Sequence, residues 1–97
     1  MSFRDEFPDY PANQFPPIPD GFEDVSWHND VCPSIASDVH RMTIWIDYPD
    51  PAMRENGDKY PRFALQSQRD GAETGEWYET ADHWSDVLAI IERRKPC

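Results

Sequence analysis

The sequence has little of what several protein classes depend on. Its two cysteines, Cys32 and Cys97, are too few for a disulfide-stapled scaffold and indicate a reducing compartment. Its four glycines, scattered from Gly21 to Gly75, form no phosphate-binding loop. No run approaches the roughly 20 apolar residues of a membrane span, and the opening MSFRDEFPDY lacks the basic-then-apolar order of a secretory signal. These absences predict a soluble, cytoplasmic protein without membrane contact.

Positive charge is the other deficit. Nine basic side chains stand against 19 acidic ones in 97 residues, so the formal net charge is −10. Phosphate contacts need clustered positive charge, which argues against direct binding to nucleic acid or anionic lipid. A negative field instead steers association with cationic protein surfaces. The length allows one domain with one small core.

Proline is concentrated near the start of the chain, with five prolines between residues 8 and 19. Each proline fixes its own φ and pushes the preceding residue towards an extended conformation. The sequence therefore predicts an acidic, Pro-rich extended arm over residues 1–20, followed by a single α+β domain over residues 21–97. Four aromatic rings in this segment indicate that part of it docks on the domain or on a partner: Phe3, Phe7, Tyr10 and Phe15.

The rest of the chain alternates between apolar and polar residues in short stretches. This pattern predicts strands at residues 25–32, 42–48, 62–66 and 76–80. Pro33 interrupts the first stretch, residues 49–61 form a loop, and Asp70-Gly71 marks a turn. We therefore expect a small antiparallel sheet of three to four strands.

An amphipathic helix is predicted at the C-terminal end. Trp84, Val87, Leu88 and Ile91 are spaced as the apolar stripe of a helix, and Thr80 precedes them as a candidate N-cap. This spacing makes Leu88 a core residue. The predicted fold class is α+β, with this single helix packed on one face of the antiparallel sheet.

Residue types suited to metals and nucleophilic catalysis occur near residue 30. His28, Asp30, Cys32 and His40 form no C-x-x-C or H-x-x-x-H pair, and zinc sites need three or four ligands at such spacing. Negative surroundings also raise the pKa of a cysteine and disfavour its thiolate. The sequence therefore predicts no catalytic residue, no metal and no cofactor, and a small metal-dependent or Cys/His enzyme is the least favoured interpretation.

Carboxylates gather near the predicted start of the helix. These candidates for contact with a basic partner are Glu76, Glu79, Asp82 and Asp86. A solvated acidic face is the ordinary explanation of such a run, and a recognition surface is the functional one.

Candidate apolar anchors complete the predicted binding surface. Trp45 alternates with Ile44 and Ile46, so it falls on the opposite face of its strand, where it is either covered by the arm or available to a partner. Phe7 and Tyr10 of the arm are the other rings that could anchor a partner.

The run GFEDVSWHNDVCPSIA, followed by TIWIDYPDP and then a strand containing RF, resembles small acidic hypothetical proteins of bacterial, phage and plasmid genomes. The resemblance covers residues 21–92, implies a compact domain and transfers no site. In size and charge the chain is similar in type to phage anti-CRISPR and anti-restriction inhibitors, which present carboxylates to nucleic-acid-binding surfaces.

These observations favour a non-enzymatic acidic binding module that occupies a basic protein surface. The sharper form of this expectation is a phage-type inhibitor or nucleic-acid mimic directed at a nucleic-acid-binding protein. The alternative is a small housekeeping or structural protein whose acidity serves only solubility.

Overall fold

The computed structural model describes residues 2–55 and 57–94, and its centre is a five-stranded antiparallel sheet. The strands lie in the order of the chain: β1 (Glu23–Asp24), β2 (Ser34–Ser37), β3 (Met42–Ile46), β4 (Phe63–Arg69) and β5 (Ala72–Ala81). Two helices of α type flank them: α1 (Phe3–Glu6) and α2 (Trp84–Arg94). The α+β class is confirmed, with five strands where three to four were predicted. Cys97 lies outside the described residues.

The strand predicted at residues 25–32 is wrong, because this stretch forms turns between β1 and β2. The Asp24 carboxylate accepts a hydrogen bond from the Ser26 amide at 3.0 Å, and the Asp30 amide donates to the Trp27 carbonyl at 2.9 Å. Asp and Asn side chains favour such local turns over a ladder. The true strand, β2, lies just beyond Pro33 in residues that show little alternation.

The central strands agree with the predicted alternation. Ile44 pairs with Leu65 and Ile46 pairs with Phe63 across β3 and β4, and all four side chains are buried. Since successive side chains point to opposite faces of a sheet, these residues define one face, which we call the covered face. The opposite side of the sheet, which carries Trp45, is the open face.

Helix α2 packs on the covered face through Val87, Ile90 and Ile91. Leu88 is 44% exposed, so its predicted core position is wrong. Thr80 is also not the N-cap: it belongs to β5, and the amides of Asp86 and Val87 donate to the His83 carbonyl. The strand simply continues further than the sequence pattern predicts.

The N-terminal segment (residues 2–20) packs against the same face. It contains the single turn of α1 before Pro8 and a 3-10 turn at Ala12–Gln14, so residues 3–6 are helical where an extended arm was predicted. The Phe3 and Phe15 rings stack with centroids 3.9 Å apart, and the Tyr48 hydroxyl donates to Asp9 at 2.7 Å. The predicted division at Gly21 marks a change in composition, and residues from both sides of it share one core.

Arg54 links the two ends of the loop between β3 and β4. Arg54 donates to three main-chain carbonyls, those of Tyr48, Pro49 and Tyr60. Because the guanidinium spans both ends of the loop, it fixes the position of Tyr60 beside the open face. The predicted loop over residues 49–61 is confirmed for its described residues, 49–55 and 57–61, which include two 3-10 turns.

The turn between β4 and β5 is Asp70-Gly71, as predicted. Both residues have positive φ, 54° and 84°, which is the backbone that a tight two-residue hairpin requires and that glycine adopts readily. Arg69 and Ala72, which flank this turn, are paired across the two strands. The hairpin makes β5 an edge strand, paired only with β4 in the described part of the chain.

Candidate functional site

A groove of about 480 Å³ lies on the open face of the sheet. Its floor comes from β3, β4 and β5 and its rim from two loops, residues 29–32 and residues 60–62. We call this cavity the groove. Its volume falls in the range of about 300–1,000 Å³ that is usual for ligand sites.

The groove exists because a small residue separates larger ones. Ala64 on β4 pairs with Trp45 on β3 and with Thr80 on β5, so a single methyl group forms the floor between them. Gln66 and Tyr78 form the next pair along the same face. A row of this kind leaves a depression beside the indole of Trp45.

Exposed apolar side chains border the groove. Tyr78 is 61% exposed, Tyr60 56% and Val31 54%, and all three line it. Trp45 is partly buried beside them. The prediction that Trp45 lies on the face opposite Ile44 and Ile46 is confirmed, and the rings of the N-terminal segment pack on the other side of the sheet. Exposed rings that line one cavity in this way are typical of interaction surfaces.

Three carboxylates line the groove, those of Asp30, Asp47 and Glu73. Burial raises the pKa of Asp47, whose Oδ1 accepts a hydrogen bond from the Tyr48 amide at 2.9 Å. The groove also contains Arg62, whose Nε donates to the main-chain oxygen of Asp47 at 3.2 Å. With three acidic groups and one basic group, the lining is negative, in keeping with the charge of the chain.

The four carboxylates predicted as an acidic face are not brought together. Glu79 contacts Arg94 of α2, whereas Glu76 lies beside a bulge in the β4–β5 pairing, with its carboxylate 3.9 Å from Arg69 of β4. Asp82 directly follows β5, and Asp86 lies in the first turn of α2. The end of β5, at Ala81, is about 17 Å along the strand from Glu76.

Glu79 is neutralised within the fold. Its two carboxylate oxygens accept hydrogen bonds from Arg93 and from Arg94 Nε, the latter at 2.6 Å. These arginines, Arg94 first, hold the pKa of Glu79 below its usual value. Glu79 is therefore a structural ion-pair residue, and only the other three members of the predicted set lie exposed on the surface.

The assignment of Phe7 and Tyr10 as partner anchors is replaced by a core role. Phe7 is 6% exposed and Tyr10 4% exposed, and both belong to the hydrophobic cluster of the covered face. The Tyr10 ring packs against Tyr48 with centroids 5.0 Å apart. Of the three predicted anchors, only Trp45 lies at the groove.

The histidines and the cysteine near residue 30 are engaged separately. His28 Nδ1 lies 2.9 Å from a Glu6 oxygen, and His40 Nδ1 lies 3.0 Å from the Ser37 hydroxyl. Cys32 is buried at the edge of the groove, and burial, followed by the charges of Asp47 and Asp30, raises the pKa of its thiol. Within residues 2–55 and 57–94, no group of three or more potential metal ligands occurs.

Several groove residues were not identified from the sequence. Tyr78 and Thr80 were placed in a predicted strand whose pairing, and hence whose face, was unknown. Tyr60 lies in a loop, and no periodicity carries information there. Asp47 shares the parity of Trp45, which was the one available signal for it.

Comparisons with protein-family models, with curated proteins and with solved structures found no match. Among the helices that the structure describes, none is long and apolar enough to cross a membrane.

Proposed function

We propose that this protein is a non-enzymatic binding module that engages a basic protein surface through the groove on the open face of its sheet. The observation that carries the proposal is a single one: an uncovered sheet face that combines exposed aromatic rings with Asp30, Asp47 and Glu73. The rings supply apolar anchors, and the carboxylates select positive charge.

Net charge supports the same partner. At −10 the whole chain attracts cationic surfaces, and exposed acids outside the groove, such as Glu76, Asp82 and Asp86, add to this field. Attraction of this kind speeds association and weakens as salt screens it. The nucleic-acid-mimic form of the proposal would draw on the same field.

A non-catalytic role is supported by the state of the reactive groups. The Cys32 thiol is buried with a raised pKa, and His28 and His40 each contact a different residue, Glu6 and Ser37. A thiol needs an adjacent base and an accessible thiolate to act as a nucleophile. The competing interpretation, in which acidity serves only solubility, gives the exposed rings at the groove no role.

The test is an amide-resolved NMR titration of the full chain with a lysine-rich peptide, repeated with a glutamate-rich peptide. We expect shifts at groove residues with the lysine-rich peptide alone. The affinity should fall between about 0.01 M and about 0.1 M salt, where the Debye length shrinks from about 30 Å to about 10 Å. Absence of binding, or binding that is indifferent to salt, would contradict the proposal.

Two double variants with equal charge change locate the surface. Asp30→Asn with Glu73→Gln removes two groove carboxylates and should weaken binding. Asp82→Asn with Asp86→Asn removes two acids near the start of α2 and should leave groove binding close to that of the parent. If the second pair weakens binding and the first does not, the helix end is the contact surface and the groove is not.

A further inference from the structure

On the covered side of the sheet, an aromatic ring and a carboxylate together bind one arginine side chain, an arrangement that we call an arginine seat. Trp77 and Glu79 share one face of β5, two residues apart. The guanidinium carbon of Arg94 lies 4.7 Å from the centroid of the Trp77 ring, and its Nε donates to Glu79 at 2.6 Å. An aromatic face beside a carboxylate suits the planar, charged guanidinium group, which can stack and donate hydrogen bonds together.

The same pair of residue types recurs at the groove. Trp45 and Asp47 also stand two residues apart along one strand direction, and both line the groove. Among the described residues, no cation stacks on the Trp45 ring and no basic side chain forms an ion pair with the Asp47 carboxylate. The two residue types that hold Arg94 on the covered side therefore recur at the groove, where no described arginine or lysine takes the corresponding place.

The two arginines nearest to Asp47 are committed elsewhere. Arg62 donates to the carbonyls of Asp47 and Gln14 and to the Tyr10 hydroxyl, and its guanidinium carbon lies 4.8 Å from the Phe63 ring centroid. Arg54 is held by loop carbonyls. Both charges act on Asp47 from a distance and reduce its attraction for a third cation, but neither stacks on Trp45.

We propose that Trp45 and Asp47 form a seat for one arginine side chain of the basic partner. The inference rests on the function proposed above and adds a specificity to it: arginine in preference to lysine. A lysine ammonium is a compact, strongly hydrated charge that cannot stack as a plane, whereas a guanidinium can cover the indole and reach the carboxylate. Ala64 leaves room for it beside the Trp45 ring.

The experiment uses three peptides of nine residues: two lysines at each end, glycine spacers and one variable central residue. The central residue is arginine, lysine or citrulline, the uncharged isostere of arginine. The terminal lysines supply the same general attraction in every case. With the full chain followed by NMR, we expect the arginine peptide to bind about three- to fivefold more tightly than the lysine peptide. Citrulline should bind no better than lysine.

Four variants show which residues cause the preference for arginine over lysine. Trp45→Leu and Asp47→Asn should each bring the arginine-to-lysine affinity ratio close to one. Trp27→Leu, a partly exposed tryptophan outside the groove lining, and Asp70→Asn, an exposed acid in the β4–β5 turn, should keep the preference of the parent. Either Trp45→Leu or Asp47→Asn is enough to test the affinity ratio, so the experiment is decisive even if one of the two variants does not fold.

The outcomes separate the two proposals. Binding of all three peptides with equal affinity overturns the arginine seat and leaves the basic-partner function standing. If none of the three peptides binds, both the arginine seat and the basic-partner function are overturned. An arginine preference that survives in Trp45→Leu and in Asp47→Asn places the discriminating contact elsewhere and overturns the seat.

Discussion

The Tyr10 hydroxyl and the Arg62 guanidinium meet at 2.9 Å, where Arg62 Nη2 donates to the phenol oxygen. The same hydroxyl donates to the main-chain oxygen of Asp47, also at 2.9 Å. Arg62 Nη2 donates in addition to the Gln14 carbonyl at 2.7 Å. These hydrogen bonds join the N-terminal segment to Asp47, just beyond the end of β3. Packing on the covered face therefore helps to fix Asp47, which lines the groove together with Trp45.

Replacing Tyr10 with phenylalanine tests how much that junction stabilises the fold. We expect Tyr10→Phe to reduce the free energy of unfolding by about 1–3 kcal/mol, because the Asp47 carbonyl and Arg62 both lose a partner in a partly buried place. Urea unfolding followed by tryptophan fluorescence measures it. Tyr60→Phe removes the same atom from an exposed ring and should change little. Equal midpoints for the two variants would show that the junction contributes nothing.

The side of α2 that carries the core residues gives a second prediction. Ile90 is 6% exposed, so Ile90→Ala should cost about 2–5 kcal/mol through lost burial and the cavity it leaves. Leu88 is largely outside the core, and Leu88→Ala should stay within about 0.5 kcal/mol, as surface changes do. Thermal unfolding of both variants checks the difference. A larger loss for Leu88→Ala would mean that the helix is rotated from the position described.

The Leu88 result shows where the sequence pattern stops being informative. At 100° per residue, Leu88 and Ile90 lie about 160° apart around the helix axis, so they stand at opposite margins of one broad apolar arc. Periodicity predicts the arc and hence the helix, but it does not say which margin meets the sheet. That choice is made by the surface of β4 and β5 against which Val87 and Ile91 pack.

The sequence pattern likewise predicts one part of the candidate site and not the rest. Alternation along β3 was enough to place Trp45 on the face away from the core. It did not give the groove, since Tyr60 arrives there through a loop held by Arg54, and Tyr78 arrives through a pairing with Gln66 that only the register defines. Nearness in sequence was also misleading, because the predicted acidic set is divided between an ion pair with α2, a bulged part of β5 and the start of the helix.

The pH dependence of stability should report on Glu79. Its pKa is lower in the folded state than in the unfolded state, so the unfolded chain binds more protons and the stabilisation is present at neutral pH. It is lost as the pH falls below about 4.3 and through the lowered pKa. Glu79→Gln should therefore destabilise at pH 7, with the difference from the parent shrinking in acid. Chemical denaturation at a series of pH values measures this.

Glu76→Gln is the matched control for that series. Glu76 is exposed, and its nearest cation, Arg69, is 3.9 Å away with most of its side chain in solvent, so the pair contributes little. The effect of Glu76→Gln on the free energy of unfolding should be small. A Glu79→Gln variant that behaves in the same way would show that the Arg93 and Arg94 contacts do not stabilise the fold.

The Cys32 thiol is buried at the edge of the groove, and its rate of reaction should report on that burial. Burial, followed by the negative charges of Asp47 and Asp30, raises its pKa, so less thiolate is present at pH 8 than in an exposed cysteine, and a reagent reaches the thiol when the loop opens. In a Cys97→Ser background, where Cys32 is the only thiol, a disulfide reagent should react with the native protein at least about tenfold more slowly than with the urea-unfolded chain. A lysine-rich peptide bound in the groove should slow the reaction further, since Cys32 lies at its edge. Equal rates in the folded and unfolded chains would mean that residues 29–32 do not bury this thiol, and the groove would lose that rim.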